Sequence, residues 1–353
     1  MILHVFPKEK FTVPFIQFIN RNFSPKEHSF FLYGFNEGYK YNEIAQYDNI
    51  KYISDYKTTF FKTVKDADKI IIHSFPTSKK SLLYLFINRK VLIKCSWVIW
   101  GQDLYSYRFK KTTFKSKIRE YLKKEIIKRF SCIITLSKND YKLSKEWYGA
   151  NGIYKQGIYI NPISFKYLNT IKSNRTEDKK VINIQIGNSA DPSNLHLEVI
   201  DILKKFKDKN IKIYVPLSYG GNNEYALKVK EYGEKIFKDK FVAMLEFMDK
   251  DKYGEFLGAI DIAIFNNNRQ QALANIRALA YLGSKIYMRD DTTMWNDFIE
   301  DGYKINKVND LKNEDFGEFI LINEDIIGLN SNLAEDTFNE KRIAEKWADI
   351  FNN

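Results

Sequence analysis

Short apolar runs alternate with longer segments of helical period along this chain, and the alternation occurs twice. The strand candidates, rich in Ile, Val, Phe and Tyr, are residues 2–6, 29–33, 70–75, 97–100 and 132–136, then 181–186, 211–217, 241–246, 260–265 and 285–288. This order is typical of parallel sheets whose strands are joined by crossover helices. A chain of 353 residues also exceeds what one hydrophobic core usually serves, so the sequence predicts two α/β domains.

A polar stretch separates the two sets of strands. Asn161-Pro162 and residues 169–180 read as a linker, which places the boundary near residues 170–178. The predicted domains are therefore residues 1–170 and 178–333. Residues 334–353 carry an imperfect helical stripe of apolar side chains that needs a surface to cover it, and we expect this helix to cross back onto the first domain.

Composition narrows the class of protein only a little. The formal net charge of +12 favours an anionic partner, but Lys among abundant Asn and Ile is also what an AT-rich genome produces. Cys95 and Cys132 are too few for a disulfide framework and fit a reducing cytoplasm. No export signal opens the sequence, and no apolar run approaches the roughly 18 residues that span a bilayer. We expect a cytoplasmic protein, either soluble or peripheral on the inner face of the cytoplasmic membrane.

The loop after strand candidate 181–186 has the features of a phosphate site. Gly187 lets a ligand approach the backbone, Asp191 is a good N-cap, and Pro192 suits the first position of a helix. The free N–H groups of such a helix start attract anions. The side chains that would join them are Asn188, Ser189, Ser193, Asn194 and His196. The alternative is a well-capped loop that binds nothing.

A second loop repeats this pattern. Strand candidate 260–265 is followed by Asn266-Asn267-Asn268-Arg269 and a predicted helix from Gln270 to Leu282. The asparagines are candidate caps of this helix, and the planar fork of Arg269 suits a diphosphate. Two helix starts on neighbouring strands would hold both phosphates without a metal ion, although Arg269 taken alone is equally typical of a surface arginine.

Between these loops lies a turn with paired glycines. Gly220-Gly221 has an aromatic residue on each side, and Tyr219 or Tyr225 would stack on a base or a sugar. A surface turn with two core tyrosines is the alternative.

The first domain offers two candidates for a general base. Asp103 follows Gly101 just beyond strand candidate 97–100, where ligand clefts of open α/β sheets form. His73 ends a neighbouring strand candidate and is the rival, because an imidazole accepts a hydroxyl proton near neutral pH. A capping aspartate and a core histidine are the structural alternatives.

Metal and cofactor motifs are weak. Asp66-Ala67-Asp68 precedes a strand instead of following one, so we interpret it as charge at a helix end. The four histidines show no ligand spacing, and neither a Walker A nor a G-x-G-x-x-G sequence occurs. We therefore predict no metal ion and no ATP or NAD cofactor.

Residues 108–130 suggest a contact with an anionic membrane. Ten Lys and Arg against two Glu lie between Arg108 and Arg129, around apolar residues at i+4 spacing: Phe114, Ile118, Leu122, Ile126 and Phe130. A core-facing helix with a solvated basic back is the alternative.

Taken together, these motifs resemble a known family. Residues Trp100 to Tyr105, Gly187 to Ser189 with Asp191, Ser193, Asn194 and His196, Val215-Pro216 with Tyr219 and Asn222 to Glu224, and Arg269 to Gln271 match the bacterial 4-acetamido-4,6-dideoxygalactose (Fuc4NAc) transferases in order. This family, often labelled 4-alpha-L-fucosyltransferases, is glycosyltransferase family fifty-six. The similarity extends over about residues 70–300. One departure is the segment Ala272 to Asn275, where a glycine is common in the family.

The resemblance implies both a fold and an activity. The fold is GT-B, with two Rossmann-like domains facing each other across a cleft. The activity is an inverting, metal-independent transfer from a dTDP-sugar to a lipid-linked or oligosaccharide acceptor, as in making enterobacterial common antigen or O-antigen. The matched motifs add Asn223, Gln270 and Gln271 to the candidate nucleotide and diphosphate ligands, and Asn275, in the departing segment, is a further candidate.

Three other functions remain open at this point. A nucleotide-sugar epimerase shares the double-Rossmann architecture, a basic RNA-binding protein fits the charge and the 16% aromatic content, and a two-lobed solute-binding protein fits two domains. No RNA-binding motif occurs, so we expect no nucleic-acid partner. The lack of an export signal argues against a solute-binding protein.

Overall fold

The computed structural model describes residues 1–9, 11–34, 41–53, 57–76, 78–109, 112–161, 163–174 and 181–352. The chain divides into two compact units. The first unit comprises Met1–Pro162 and Glu340–Asn353, and the second unit comprises Ile163–Asn339.

The first unit contains a seven-stranded sheet over the described residues, and every strand pair is parallel. Its strands are β1 Ile2–Pro7, β2 His28–Tyr33, β3 Ile50–Tyr52, β4 Lys69–His73, β5 Cys95–Val98, β6 Cys132–Thr135 and β7 Ile153–Gln156. The order is β3-β2-β1-β4-β5-β6-β7. Strands β2 and β3 are added on one side of β1 and strands β4 to β7 on the other, so the switch point lies between β1 and β4. Ligands of open α/β sheets bind beyond the carboxyl ends of the strands at such a switch point.

Helices cover both faces of this sheet. They are α1 Thr12–Asn22, α2 Lys57–Asp66, α3 Lys79–Ile87, α4 Arg89–Leu92, α5 Gln102–Tyr105, α6 Phe114–Ile127 and α7 Lys138–Tyr148. Successive residues of β4 show why the strands read as continuous apolar runs, since Ile70 and Ile72 pack in one core and Ile71 in the other.

The second unit repeats the design with a six-stranded parallel sheet. Its strands are β8 Ile182–Ile186, β9 Ile211–Pro216, β10 Phe241–Met244, β11 Ile262–Phe265, β12 Lys285–Met288 and β13 Asn306–Lys307, in the order β10-β9-β8-β11-β12-β13. Its helices are α8 Phe165–Ser173, α9 His196–Leu203, α10 Asn223–Phe237, α11 Lys250–Ala259, α12 Leu273–Tyr281, α13 Thr293–Glu300, α14 Phe316–Ile320 and α15 Glu324–Glu335. The switch point of this sheet lies between β8 and β11.

All ten predicted strands fall on observed strands, whereas β3, β7 and β13 escaped the sequence pattern. These three strands lie at sheet edges and are two to four residues long. An edge strand is buried less than a central one, so it needs no apolar run and leaves a weak signal.

The unit boundary lies earlier than the sequence placed it. The second unit begins at Ile163 and includes helix α8, in which Leu168 is fully buried and Tyr167 and Ile171 pack against the same core. Residues 169–173 of the predicted linker thus lie inside this helix, and residues 175–180 fall outside the part of the chain that the structure describes.

The C-terminal segment is not the continuous helix 334–353 that the sequence predicts. Helix α15 ends at Glu335, a 3-10 turn follows at Asp336–Phe338, and a separate helix α16 runs over Glu340–Asn352. Helix α16 belongs to the first unit, where Trp347 is fully buried and its Nε1–H donates to the carbonyl of Ile158 at 2.8 Å. The apolar stripe is divided because Ala334 packs in the second unit and Trp347 in the first.

No helix in the described ranges is long and apolar enough to cross a membrane.

Candidate functional site

The loop after β8 turns at Gly187, which has a φ of +64°. A Cβ atom at this position would lie 2.6 Å from Nε2 of His196 and 2.7 Å from Oδ1 of Asn194. Both the positive φ and the crowding require glycine here. The polar side chains of Asn194 and His196 therefore lie directly against the turn.

Asp191 caps a 3-10 turn, Pro192–Asn194, and not the α-helix that the sequence predicts from Pro192. Its Oδ1 accepts hydrogen bonds from the backbone N–H of Ser193 at 2.9 Å and from the Ser193 hydroxyl at 2.5 Å. Leu195 then adopts a left-handed conformation with a φ of +52°, and α9 begins at His196. The predicted helix start is wrong by four residues because Leu195 interrupts the helical backbone.

Asn194 joins two loops of the site. Its Oδ1 accepts from the backbone N–H of Asn188 at 3.0 Å and from Nδ2 of Asn267 at 2.9 Å. Its Nδ2 donates to the hydroxyl of Ser189 at 3.3 Å. The Asn194 side chain is fully buried, so this one amide fixes the loop after β8 against the loop after β11.

The glycine turn after β9 contacts the loop that follows β8. The carbonyl of Tyr219 accepts from the backbone N–H of Ala190 at 2.8 Å, and the Tyr219 hydroxyl lies 2.9 Å from Nδ2 of Asn188. A Cβ atom on Gly221 would lie 1.9 Å from the carbonyl oxygen of Ala190. The second glycine is thus needed for the two loops to touch.

Arg269 is half-buried and forms an ion pair, a contact that the sequence did not predict. Its Nη2 donates to Oδ2 of Asp191 at 2.9 Å. Burial by itself raises the pKa of Asp191, but the hydrogen bonds from Ser193 and the charge of Arg269 outweigh burial and lower it. Beside them, Nε2 of Gln271 donates to the Ser193 hydroxyl at 3.0 Å. Arg269 therefore enters the site already paired with a carboxylate.

The helix predicted to start at Gln270 also begins later. Helix α12 starts at Leu273, and Ala272 before it has a φ of +61° and provides no side-chain cap. This is the segment where the resembled family commonly has glycine, the residue that a left-handed backbone favours. None of the three asparagines caps α12, because Ala272 holds its N-cap position; Asn266 donates to Glu198 and Asn267 to Asn194.

Several buried polar atoms of this region have no hydrogen-bond partner within the described ranges. They are Nε2 of His196, Oδ1 of Asn267, Nε2 of Gln270 and Oε1 of Gln185. His196 is fully buried, and burial lowers its pKa to about 4 although Asp191 opposes this shift. Its imidazole is therefore neutral near pH 7, with Nδ1 lying 3.2 Å from the Tyr225 hydroxyl. A buried polar atom without a partner is costly, so these atoms are candidates for bonding to a ligand.

The remaining candidate residues lie at the border of this region. Asn223 is exposed at the first position of α10, after the capping residue Asn222. Asn275 donates from Nδ2 to the Tyr253 hydroxyl at 2.9 Å. Its contact is thus with α11, and the structure does not join Asn275 to the Asn194 network.

Asp103 of the first unit is surrounded by donors. Its Oδ2 accepts from the backbone N–H of Phe75 at 2.9 Å and from Nε1–H of Trp97 at 2.8 Å. Its Oδ1 accepts from the backbone N–H groups of Trp100 at 3.0 Å and Leu104 at 3.1 Å. A carboxylate offers about four acceptor positions, so these donors occupy its full capacity and tie the loops after β4 and β5 together.

His73 belongs to a chain of buried rings that the sequence did not reveal. Nε2 of His73 lies 3.1 Å from Nδ1 of His4, and Nε2 of His4 lies 3.0 Å from Nδ1 of His28. At the other end, Nδ1 of His73 contacts the Tyr159 hydroxyl, which also accepts from Nε1–H of Trp100 at 2.9 Å. A polar residue inside the apolar runs of β1 and β4 was the available signal, and only strand pairing brings the three histidines together.

The basic helix α6 is buried at one end only. Ile126 and Phe130 lie in the core, whereas Phe114 is 78% and Ile118 44% exposed. The i+4 stripe is therefore not a core-facing face along its whole length. Lys123 is also buried, and its Nζ donates to the Ser106 hydroxyl at 2.8 Å and to the Asp103 carbonyl.

The fold defines the class of protein. A crystal structure of a glycosyltransferase from Rickettsia africae ESF-5 has a TM-score of 0.64 at 12% sequence identity, covering 99% of this chain and 97% of that chain. WaaG, a glycosyltransferase involved in lipopolysaccharide biosynthesis, has a TM-score of 0.63 at 10% identity over 99% of each chain. A UDP-forming α,α-trehalose-phosphate synthase from Burkholderia xenovorans has a TM-score of 0.67 at 7% identity, covering 100% of this chain and 99% of that chain. The chain has the GT-B fold.

The sequence match then gives the family. The family described as 4-alpha-L-fucosyltransferase, glycosyl transferase group 56, matches residues 33–320. This span is most of the chain, so the protein belongs to that family and is a glycosyltransferase. The resemblance drawn from the motifs is confirmed.

Gly187→Ala tests the crowded turn. We expect a loss of about 2 kcal/mol or more in unfolding free energy, because the new Cβ meets buried side chains and the φ is positive. Urea unfolding measures the change. Gly328→Ala is the matched control, since a Cβ there meets nothing within 4 Å in an exposed helix, and it is expected to leave stability unchanged or slightly increased. Equal effects of the two variants would contradict the crowding argument.

Asp103→Asn tests the anchoring carboxylate. An amide nitrogen cannot accept, so donors that now meet Oδ2 or Oδ1 are left unpaired, and we expect a loss of about 2 kcal/mol in unfolding free energy. The control is Asp66→Asn at the exposed end of α2, expected to stay within about 0.5 kcal/mol. If both variants unfold like the parent chain, Asp103 does not anchor the loops.

Proposed function

We propose that the second unit binds the diphosphate of a nucleotide-sugar donor at the loops that follow β8, β9 and β11. The observation that carries this proposal is a set of buried polar atoms at these loops, on His196, Asn267 and Gln270, that have no hydrogen-bond partner among the described residues. The loops meet at the switch point between β8 and β11, where α/β sheets bind their ligands. Family membership gives the reaction class, and the position of these loops supports them as the donor site.

The donor set suits a diphosphate. Hydroxyl, amide and guanidinium groups from Ser189, Asn188, Gln271 and Arg269 supply N–H and O–H donors. Arg269 has five N–H donors, so it can keep its bond to Asp191 while others reach a phosphate oxygen. Burial raises the pKa of Tyr225, which keeps its hydroxyl protonated and able to donate to Nδ1 of His196. Nε2–H of His196 then becomes a further donor for the phosphate.

We assign the leaving-group step to the same residues. The acceptor hydroxyl oxygen attacks the anomeric carbon, the bond from that carbon to the diphosphate oxygen breaks, and the configuration inverts. The electron pair leaves with the nucleoside diphosphate, and fixed donors such as Arg269 stabilise its growing charge. We propose, from the resemblance to the family, that this transfer needs no metal ion.

Asp103 and His73 are the two candidates for the group that accepts the proton of the acceptor hydroxyl. We assign this role to His73, because the acceptor positions of Asp103 are occupied by N–H donors of its own unit. Burial lowers the pKa of His73 well below its ordinary value, so the ring is neutral and keeps an unprotonated nitrogen at pH 7.

The substrates follow from the resemblance of the site motifs. We propose a dTDP-linked deoxy or deoxyamino sugar, such as Fuc4NAc or fucose, as donor. We propose as acceptor a lipid-linked sugar or an oligosaccharide of bacterial surface polysaccharide synthesis. The matched segments from Gly187 to His196 and from Arg269 to Gln271 support this assignment.

A nucleotide panel tests the donor site. At a hundredfold excess over its dissociation constant, dTDP is expected to stabilise the protein by about 2.7 kcal/mol, which raises the melting temperature by about 5 °C. UDP and GDP should give smaller shifts. Arg269→Gln is expected to lose most of the dTDP shift, whereas Arg21→Gln, which breaks an exposed ion pair of the first unit, should keep it.

Three results of this panel and its companion assays would contradict parts of the proposal. Stabilisation by RNA and by none of the nucleotides would contradict the donor site. Isomerised sugar nucleotide from donor incubated alone would indicate an epimerase. Loss of sugar transfer on adding EDTA would contradict the metal-independent reaction.

We also propose that α6 rests on an anionic membrane. Its first turns expose Phe114, Ile118 and Tyr121, and the basic Lys117 and Lys124 are exposed on the same helix. Aromatic and apolar groups that enter the headgroup region, together with Lys that contact anionic lipid, are typical of interfacial helices. A membrane position also suits a lipid-linked acceptor.

Vesicle sedimentation tests this contact. Reversing charge with Lys117→Glu and Lys124→Glu is expected to weaken binding to phosphatidylglycerol vesicles at least tenfold, at about 1 kcal/mol for each charge near the surface. Lys123 stays unchanged because it is buried. The control pair Lys228→Glu and Lys235→Glu changes exposed lysines of α10 and should bind as the parent does. Equal binding by all three proteins would exclude α6 as the contact.

A further inference from the structure

The chain of rings from His28 through His4 and His73 to Tyr159 runs through the core of the first unit. His4 and His73 are fully buried, and His28 is 3% exposed. His28 begins β2, His4 lies within β1, and His73 ends β4. The chain therefore crosses the sheet from the amino end of one strand to the carboxyl end of another.

Aromatic rings pack around the chain. Phe30 stacks on His4 with ring centroids 4.6 Å apart, Phe6 stacks on His73 at 3.9 Å, and Phe351 of α16 meets His28 at 4.6 Å. The titratable groups that act on the chain are at its ends. The amino group of Met1 acts on His28, and Asp103 with Tyr33 acts on Tyr159.

Burial keeps all three imidazoles neutral near pH 7. It lowers the pKa of His28 to about 4 and the pKa values of His4 and His73 well below the ordinary value. A neutral imidazole has one N–H and one bare nitrogen. Each nitrogen pair in the chain must therefore contain one donor and one acceptor.

This requirement couples the three rings. If Nδ1 of His4 carries the proton, then Nε2 of His73 is bare and Nδ1 of His28 must donate to Nε2 of His4. All three rings are then protonated at Nδ1. If Nε2 of His4 carries the proton, all three are protonated at Nε2. The chain has two states and no neutral mixture of them.

The state of the chain decides what Tyr159 offers. With all protons on Nδ1, the Tyr159 oxygen accepts from both His73 and Trp100, and its own O–H is free to donate elsewhere. With all protons on Nε2, the Tyr159 O–H donates to Nδ1 of His73. The phenol oxygen then has an acceptor position left for a substrate hydroxyl.

We propose that Tyr159 and the three histidines form a proton relay that takes up the proton of the acceptor hydroxyl during sugar transfer. Tyr159 is the group that touches the substrate, and His73 receives the proton of Tyr159. His4 and His28 each accept a proton on one ring nitrogen and release one from the other. This proposal rests on the proposed function and deepens it. It explains how a fully buried His73 serves as the proton acceptor.

Atoms and charges balance in this step. The relay begins with all protons on Nε2. The substrate proton goes to the Tyr159 oxygen, and the Tyr159 proton goes to Nδ1 of His73. The Nε2 proton of His73 goes to Nδ1 of His4, that of His4 goes to Nδ1 of His28, and that of His28 goes to water.

No buried ion remains when the transfer is complete, because every ring has changed its tautomer and none has changed its charge. This avoids the large cost of an isolated charge in an apolar core. The relay resets when a proton from water returns to Nε2 of His28 and the Tyr159 end gives one to water after product release.

Nitrogen-15 NMR of the full chain, labelled at histidine, tests the coupling without any substrate. The protein has four histidines, and single His→Gln variants assign their signals. We expect the shifts at pH 7 to show His4, His28 and His73 neutral and in one common tautomer. A mixture of tautomers among the three, or a protonated imidazole in the chain, would overturn the relay.

His4→Gln tests the relay during turnover. A glutamine amide can bond to both neighbouring rings but cannot accept a proton at one atom and release one from another. We expect kcat to fall about a hundredfold, with KM for the donor within twofold and a smaller solvent isotope effect. The control is Phe30→Leu, which alters packing against His4 without touching a nitrogen, and its kcat should stay near that of the parent. If His4→Gln and Phe30→Leu have the same kcat, the relay is excluded.

Failure of the relay and failure of the proposed function are separable. If the parent chain binds dTDP and transfers sugar while His4→Gln is fully active, the relay alone is wrong. If the parent transfers no sugar from any donor, the proposed function is wrong, and the nitrogen shifts still decide whether the coupled chain exists.

Discussion

Every strand pair in both sheets is parallel, so all the carboxyl ends of a sheet meet at one edge. This constraint determines where the candidate functional residues of each unit lie. In the second unit it gathers the loops after β8, β9 and β11, and Asn194 then fixes two of them through one buried amide. In the first unit it brings the loops after β4 and β5 together, and Asp103 joins them with both of its oxygens.

The two units use their buried polar groups differently. In the second unit a network of amides and hydroxyls surrounds atoms, such as Nε2 of His196, that have no partner in the described part of the chain. Buried groups of this kind are candidates for contact with a ligand. In the first unit the histidine chain is satisfied along its length, from His28 to Tyr159. A satisfied chain of neutral rings has another use, since it can change its tautomers together without creating a charge.

Sequence patterns predicted the central strands and missed the edges for a physical reason. A central parallel strand such as β4 is buried on both faces and must be apolar throughout, whereas β13 consists of Asn306 and Lys307 at an edge. Helix starts were less well predicted. Asp191 caps as expected, but Leu195 and Ala272 adopt left-handed conformations that delay α9 and α12, and local propensity gives no warning of a backbone that tertiary contacts impose.

The sequence by itself determined the two α/β units, the candidate loops after β8 and β11, and the family, because these depend on periodicity and on residues close together in the chain. Only the tertiary structure decided which residues are partners. The ion pair of Arg269 with Asp191 joins residues 78 positions apart, and His4 meets His73 across 69 positions. Such pairs are set by strand order and loop contacts, which leave no local pattern. For the same reason only the fold shows that Asp103, a candidate base in the sequence, accepts hydrogen bonds from the loops after β4 and β5.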